Sequence, residues 1–164
     1  MTNKTSQQPI FSHVKVYYEV AKDSYDSMIY HLESNRRPKI DGGVGWTIKF
    51  DPERKSFKKA LITIVFTGVF LEALLHLLIV KHKGIKVFKE IDKKKNYEGK
   101  LELLGCEDPE ILGLCKNLRE ARREIVHEKA HLDDEFFRDA QDEAKKAIIL
   151  VNKLITFFSL NFDK

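Results

Sequence analysis

The sequence predicts an all-α protein: an antiparallel bundle of four to five helices, with one Gly-rich loop or short hairpin between helices one and two. Three observations predict it. Apolar residues recur at three-and-four spacing along most of the chain. Glycine and proline, which punctuate helices, fall in short intervals, and neither occurs from Leu114 to Lys164. The start signal Asp-Pro-Glu appears twice, as Asp51-Pro52-Glu53 and Asp108-Pro109-Glu110. It supplies an N-cap, a proline at the first turn and an acid at the positive end of the helix dipole.

Helix one is expected from about Val14 to Glu33, with Val14, Tyr17, Tyr18, Ala21, Tyr25, Met28, Ile29 and Leu32 on one face. Asn35 to Asp51 carries Gly42, Gly43 and Gly45 ahead of Trp46-Thr47-Ile48-Lys49-Phe50, the pattern of a short hairpin. Helix two begins at Asp51-Pro52-Glu53 and stops at Gly84. A lysine-rich helix or loop follows from Ile85 to Lys95, then a turn and a half from Tyr97 to Leu104. Helix three starts at Asp108 and runs to about His127 to His131. Asp133 and Asp134 are expected to cap helix four, which continues to about Phe162.

A chain of 164 residues that is 43% hydrophobic and 33% charged fills one domain with a buried core. That composition excludes a disordered tail, a collagen-like chain and a disulfide scaffold. Residues 1–11 are expected to be a flexible N-terminus without the apolar stretch of a secretory signal. Cys106 and Cys115 read as free thiols, so the expected compartment is the cytoplasm. The net charge of +4 is too small for a polybasic nucleic-acid coat. Locally, Lys81 to Lys100 carries an excess of +5, a solvated face or a phosphate-attracting strip. Ala60 to Val80 is long enough to span a bilayer, but Glu72 and His76 near its middle favour a central core helix and no membrane.

Helix three carries the most informative residues. On a wheel of 100° per residue, Ile111, Leu114, Cys115, Leu118, Ala121, Ile125 and Val126 share one apolar arc, with Arg122 near its centre. A guanidinium facing a core needs a partner. It is either a structural arginine paired to an acid such as Glu72, or an arginine held over a cleft to meet a phosphate. Arg119, Arg123, His127 and His131 form a flanking stripe, with His127 about 140° from Arg122 on a regular helix.

Arg122-Arg123-Glu124-Ile125-Val126-His127 resembles the Arg-x4-His motif of HEPN domains, all-helical proteins that include many toxin-type and defence-associated ribonucleases. The order of segments is similar as well: LEALLHLL in helix two, YEGKLELLG before helix three, then LREARREIVHEKAHL. The resemblance spans about Ser12 to Phe162. It implies a homodimer that binds RNA and cuts it without a metal or other cofactor, in a composite site at the dimer interface. His127 would then shuttle the proton between the ribose 2′-OH and the leaving oxygen, and Arg122 would stabilise charge on the phosphoryl group. Arg119, Arg123, Lys129 and His131 would bind substrate, with Glu72 and His76 in support. An antitoxin protein is a further partner the resemblance suggests. One subgroup of antitoxin-controlled members carries a Tyr where this chain has Lys129, and Arg123 replaces the small polar residue that often follows the motif arginine.

His127-Glu128-Lys129-Ala130-His131 also reads as H-E-x-x-H, the zinc-peptidase signature. A third ligand downstream and a peptide-holding sheet are both missing from the pattern, so no metal is expected. Adding His76 would give a His-ligated four-helix-bundle metal enzyme of DinB type. The preferred reading of His76 is an i, i+4 pair with Glu72 inside the core. The remaining alternative is a non-catalytic helical interaction domain.

Overall fold

The computed structural model describes residues 12–34, 36–40, 42–48, 53–126 and 139–162, and the fold they form is predominantly helical. In order these are α1 (Val14–Ser34), β1 (Arg36–Pro38), β2 (Trp46–Ile48), α2 (Lys55–Lys83), α3 (Ile85–Ile91), α4 (Tyr97–Leu103), α5 (Pro109–Ala121), a π-helical turn (Arg122–Val126) and α6 (Ala140–Phe157). The expectations for residues 1–11, for Asp51 and Pro52, and for Asp133 and Asp134 lie outside the described residues.

α2 is the organising element, because both α1 and α6 pack along it and α5 closes against α6. Its Ile64, Phe70, Leu71, Leu74, Leu75 and Ile79 are buried. They meet Met28 of α1, Leu101 of α4, Cys115 and Leu118 of α5, and Leu150, Val151 and Leu154 of α6. α2 is long and apolar enough to cross a membrane, yet more than half of its apolar stretch is buried against these neighbours. That is how the central helix of a packed core behaves. Tyr18 stacks on Phe162 at 5.1 Å between ring centroids, which ties the C-terminal segment to α1.

The termini of the helices explain where the expectations held and where they moved. Asp108 caps α5 by accepting hydrogen bonds from the backbone N–H of Glu110 and Ile111 at 2.8 and 3.3 Å. The Gly-rich segment does form a hairpin, with β1 and β2 antiparallel and Pro38 opposite Trp46. α2, in contrast, starts at Lys55 and not at Asp51, because Arg54 takes left-handed dihedrals (φ 51, ψ 38) that a right-handed helix cannot include. The start of α6 also moves. Asp139 is its cap, accepting from Gln141 and Asp142.

α6 ends at Phe157, short of Phe162, in a Schellman arrangement. Ser159 sits at positive φ (50°), its N–H bonds the Thr156 carbonyl, and the Leu160 N–H bonds the Ile155 carbonyl. Glycine usually occupies that position, so the stop carried no sequence signal. The lysine-rich stretch resolves into α3, a turn at Asp92 to Lys94, and the start of α4. There Asn96 caps by accepting from the Gly99 N–H at 3.0 Å.

Candidate functional site

α5 buries Ile111, Cys115, Leu118 and Ala121 on one face, the arc expected from their spacing. The next residue on that arc is Arg122, and there the α-helix gives way to the π-helical turn. The guanidinium lies across α2. Its Nη1 donates to Glu72 Oε1 at 2.8 Å and to the Tyr97 hydroxyl oxygen at 2.6 Å. Tyr97 in turn donates to the same Glu72 oxygen, closing a three-membered network from α2, α4 and the end of α5.

Gly68 makes room for it. A Cβ at that position would stand 2.5 Å from Arg122 Cδ and Cζ, well inside van der Waals contact. The Arg122 side chain is 25% exposed and that of Glu72 is 52% exposed, so the network sits at the wall of the core. Burial pushes the Glu72 carboxyl up, but the hydrogen bonds from Tyr97 and Arg122 outweigh it and hold the group below its ordinary value. Burial and the bond to Glu72 raise the Tyr97 phenol, so it stays a donor. Burial works against the Arg122 charge too, and the bonds to Glu72 and Tyr97 more than restore it.

Glu72 and Tyr97 also line an open cleft of about 630 Å³ between α2, α3 and α4. Its walls mix cations (Lys95, Lys100, Arg119) with rings (Tyr17, His76, Phe88, Tyr97) and the amide of Asn96. His76 stacks on Phe88 with centroids 4.0 Å apart, and Lys100 Nζ lies 5.6 Å from the centroid of the Phe88 ring. Lys100 also pairs with Asp92 at 2.6 Å. Arg119 reaches the cleft while its Nη2 donates to Glu98 at 3.0 Å. Glu98 is the less exposed partner, at 15%.

The expected Glu72–His76 pair in the core does not form. The Glu72 carboxylate turns to Arg122 and Tyr97, and His76 is exposed on the cleft wall against Phe88. A half-buried, always-charged guanidinium makes a stronger hydrogen bond to a carboxylate than an exposed imidazole does. Arg122, Arg119, Glu72 and His76 thus gather around one face of α2, while Arg123 points to solvent beside Glu124 at 3.9 Å. His127, Lys129 and His131 lie outside the described residues. Among the described residues, no group of three or more His, Cys, Asp or Glu side chains comes together.

Tyr97 and Gly68 were not singled out from the sequence. Gly68 carried a signal, an isolated glycine inside a strongly helical run, which marks a close approach of another group. Tyr97 carried none beyond its place at the start of a short helix.

Comparison with protein families, with curated proteins and with solved structures finds no match for this chain.

Proposed function

We propose that the chain is a HEPN-like helical bundle that acts in the cytoplasm as a homodimer, binding RNA and cutting it without a metal, in the manner of toxin or defence ribonucleases. One observation carries the binding half. The cleft sets Lys95, Lys100 and Arg119 beside the His76–Phe88 stack and Tyr97, so phosphates and bases of a single strand each find a complementary group. Lys95 and Lys100 of the cleft belong to the Lys81 to Lys100 stretch with its +5 excess, which runs from the end of α2 through α3 to α4.

The catalytic half rests on the resemblance of Arg122 to His127 to the HEPN motif. The backbone adds support. At Arg122 the α-helix gives way to a π-helical turn, which spans Arg122–Val126. The regular wheel that sets the two about 140° apart ends at Ala121. Arg122 would meet the scissile phosphate by exchanging Glu72 for it. His127 would move the proton from the 2′-OH to the leaving 5′-oxygen.

The Arg122–Glu72–Tyr97 network favours a second reading, a helical interaction domain in which Arg122 only joins three helices. Fluorescence anisotropy with a labelled, uncleavable 2′-O-methyl oligouridylate separates the two. Lys95→Ala and His76→Ala should each weaken binding severalfold with the helical signal intact. Wild-type protein that does not bind the probe supports the interaction domain. Sedimentation should show a dimer at tens of micromolar, and a monomer would remove the composite site.

A further inference from the structure

The hairpin spanning residues 36–48 has a composition that core packing does not explain. Neither strand packs extensively on a helix, and the main contacts of each strand are with the other. A ribbon of two three-residue strands is marginal on its own in water. It nevertheless displays Trp46 at 62% exposure and Ile40 and Val44 fully exposed. Arg36, Arg37 and Lys39 are exposed beside them.

The register orders these groups. Pro38 faces Trp46 directly, and Arg36 lies two residues before Pro38, so Arg36, Pro38 and Trp46 share one face of the ribbon. Arg37 pairs with Thr47 on the other face. A cation and a large exposed ring side by side suit one phosphate and one adjoining base.

We propose that this hairpin is a second nucleic-acid contact, in which Trp46 stacks on a base of single-stranded RNA and Arg36, on the same face, holds the adjoining phosphate. The proposal rests on the RNA reading above and extends it to a site away from the cleft. Along α2, the 17 residues from its start at Lys55 to Glu72 at the cleft amount to about 25 Å. One strand of RNA bridging both contacts would bind more tightly than either contact alone. A bilayer is the other polyanionic surface with an apolar layer. The sequence between the two strands argues against it, because it carries an acid, Asp41, which is costly in hydrocarbon.

Trp46 is the only tryptophan of the chain, so its emission reports this site alone. Titrating the full chain with unlabelled 2′-O-methyl oligouridylate should quench Trp46 fluorescence along the same curve that anisotropy of the labelled probe follows. Trp46→Ala should weaken probe binding at least about fivefold. Arg36→Ala should reduce the slope of log K against log salt by about 0.7, the value for one phosphate on a single strand. Both substitutions are on exposed residues, and an unchanged far-ultraviolet circular dichroism spectrum confirms that each variant folds.

Probe binding with unquenched Trp46 emission and a wild-type affinity for Trp46→Ala overturns the hairpin proposal and leaves the cleft reading standing. Failure of the probe to bind at all overturns both. A blue shift of Trp46 with phosphatidylserine vesicles, without quenching by the oligonucleotide, replaces RNA with a membrane surface.

Discussion

Gly68→Ala separates the two roles that Gly68 plays. In an exposed helix interior the change would stabilise by about 1 kcal/mol, the difference in helix propensity. Here the new methyl would stand 2.5 Å from Arg122 Cδ and Cζ, where carbon contacts normally begin near ~3.5 Å. The guanidinium must therefore retreat by roughly 1 Å or more. That stretches its bonds to Glu72 and Tyr97, now 2.8 and 2.6 Å, toward or beyond the hydrogen-bonding limit. Each bond to a charged group is worth about 1.5–3 kcal/mol when dry. The half-exposed carboxylate lets water replace part of that, so a loss of about 1–2 kcal/mol in total is the working figure.

Gly68→Ala should then lie between neutral and about 1 kcal/mol destabilising in the wild-type chain. In an Arg122→Ala background nothing is displaced, and the same change should stabilise by about 1 kcal/mol. Urea unfolding of the four proteins in this double-mutant cycle reads the coupling directly, and each kcal/mol should also move Tm by about 2–4 °C. Equal effects of Gly68→Ala in both backgrounds would refute the placement of Arg122 over α2.

Other consequences follow from the termini, the network and the thiols. The Glu72 carboxyl is lowered in the folded chain, so its contribution to stability is complete above its unfolded value near 4.5. That contribution is lost as pH falls through the lower folded value. Glu72→Gln should flatten acid unfolding below pH 4.5, and a profile identical to wild type would contradict the network. Asp108→Ala should cost about 1 kcal/mol in urea unfolding, through loss of the α5 cap. Ser159→Gly should stabilise by about 0.5–1 kcal/mol by relieving the left-handed residue that ends α6, and a destabilised variant would count against that turn. Cys106 and Cys115 are buried, with their thiols pushed up by burial. A disulfide reagent at pH 8 should label them only as the protein unfolds.

The helices were legible in the sequence because their signals are local. Asp108-Pro109-Glu110 states the start of α5 in three residues, and Gly84 marks the end of α2. The errors fell where a residue took an uncommon conformation. Arg54 and Ser159 both occupy left-handed backbone that sequence rules reserve for glycine or asparagine, so the start of α2 and the end of α6 were misplaced.

The Glu72–Arg122 partnership was readable because a core-facing arginine demands an acid, and Glu72 was the nearest acid in an apolar helix. Tyr97 was not readable, since its contact with α2 depends on how α4 folds back, which no period encodes. The π turn at Arg122 was equally hidden, because the 3.6-residue pattern runs smoothly through it. The His76 expectation failed because the Glu72 carboxylate turns to Arg122 and Tyr97 while the His76 ring stacks on Phe88.

The central claim is RNA cleavage that depends on Arg122 and His127, and the most direct measurement is analysis of the ends of a cleaved RNA. End-labelled RNA is incubated with wild-type protein in excess EDTA, beside single-stranded DNA of the same sequence. The account predicts cut RNA ending in a 2′,3′-cyclic phosphate, because the 2′-OH is the nearest nucleophile, and intact DNA. It further predicts no cutting by His127→Ala, which should still bind the uncleavable probe. Cleavage that requires a divalent metal, or that survives His127→Ala at the wild-type rate, would contradict it.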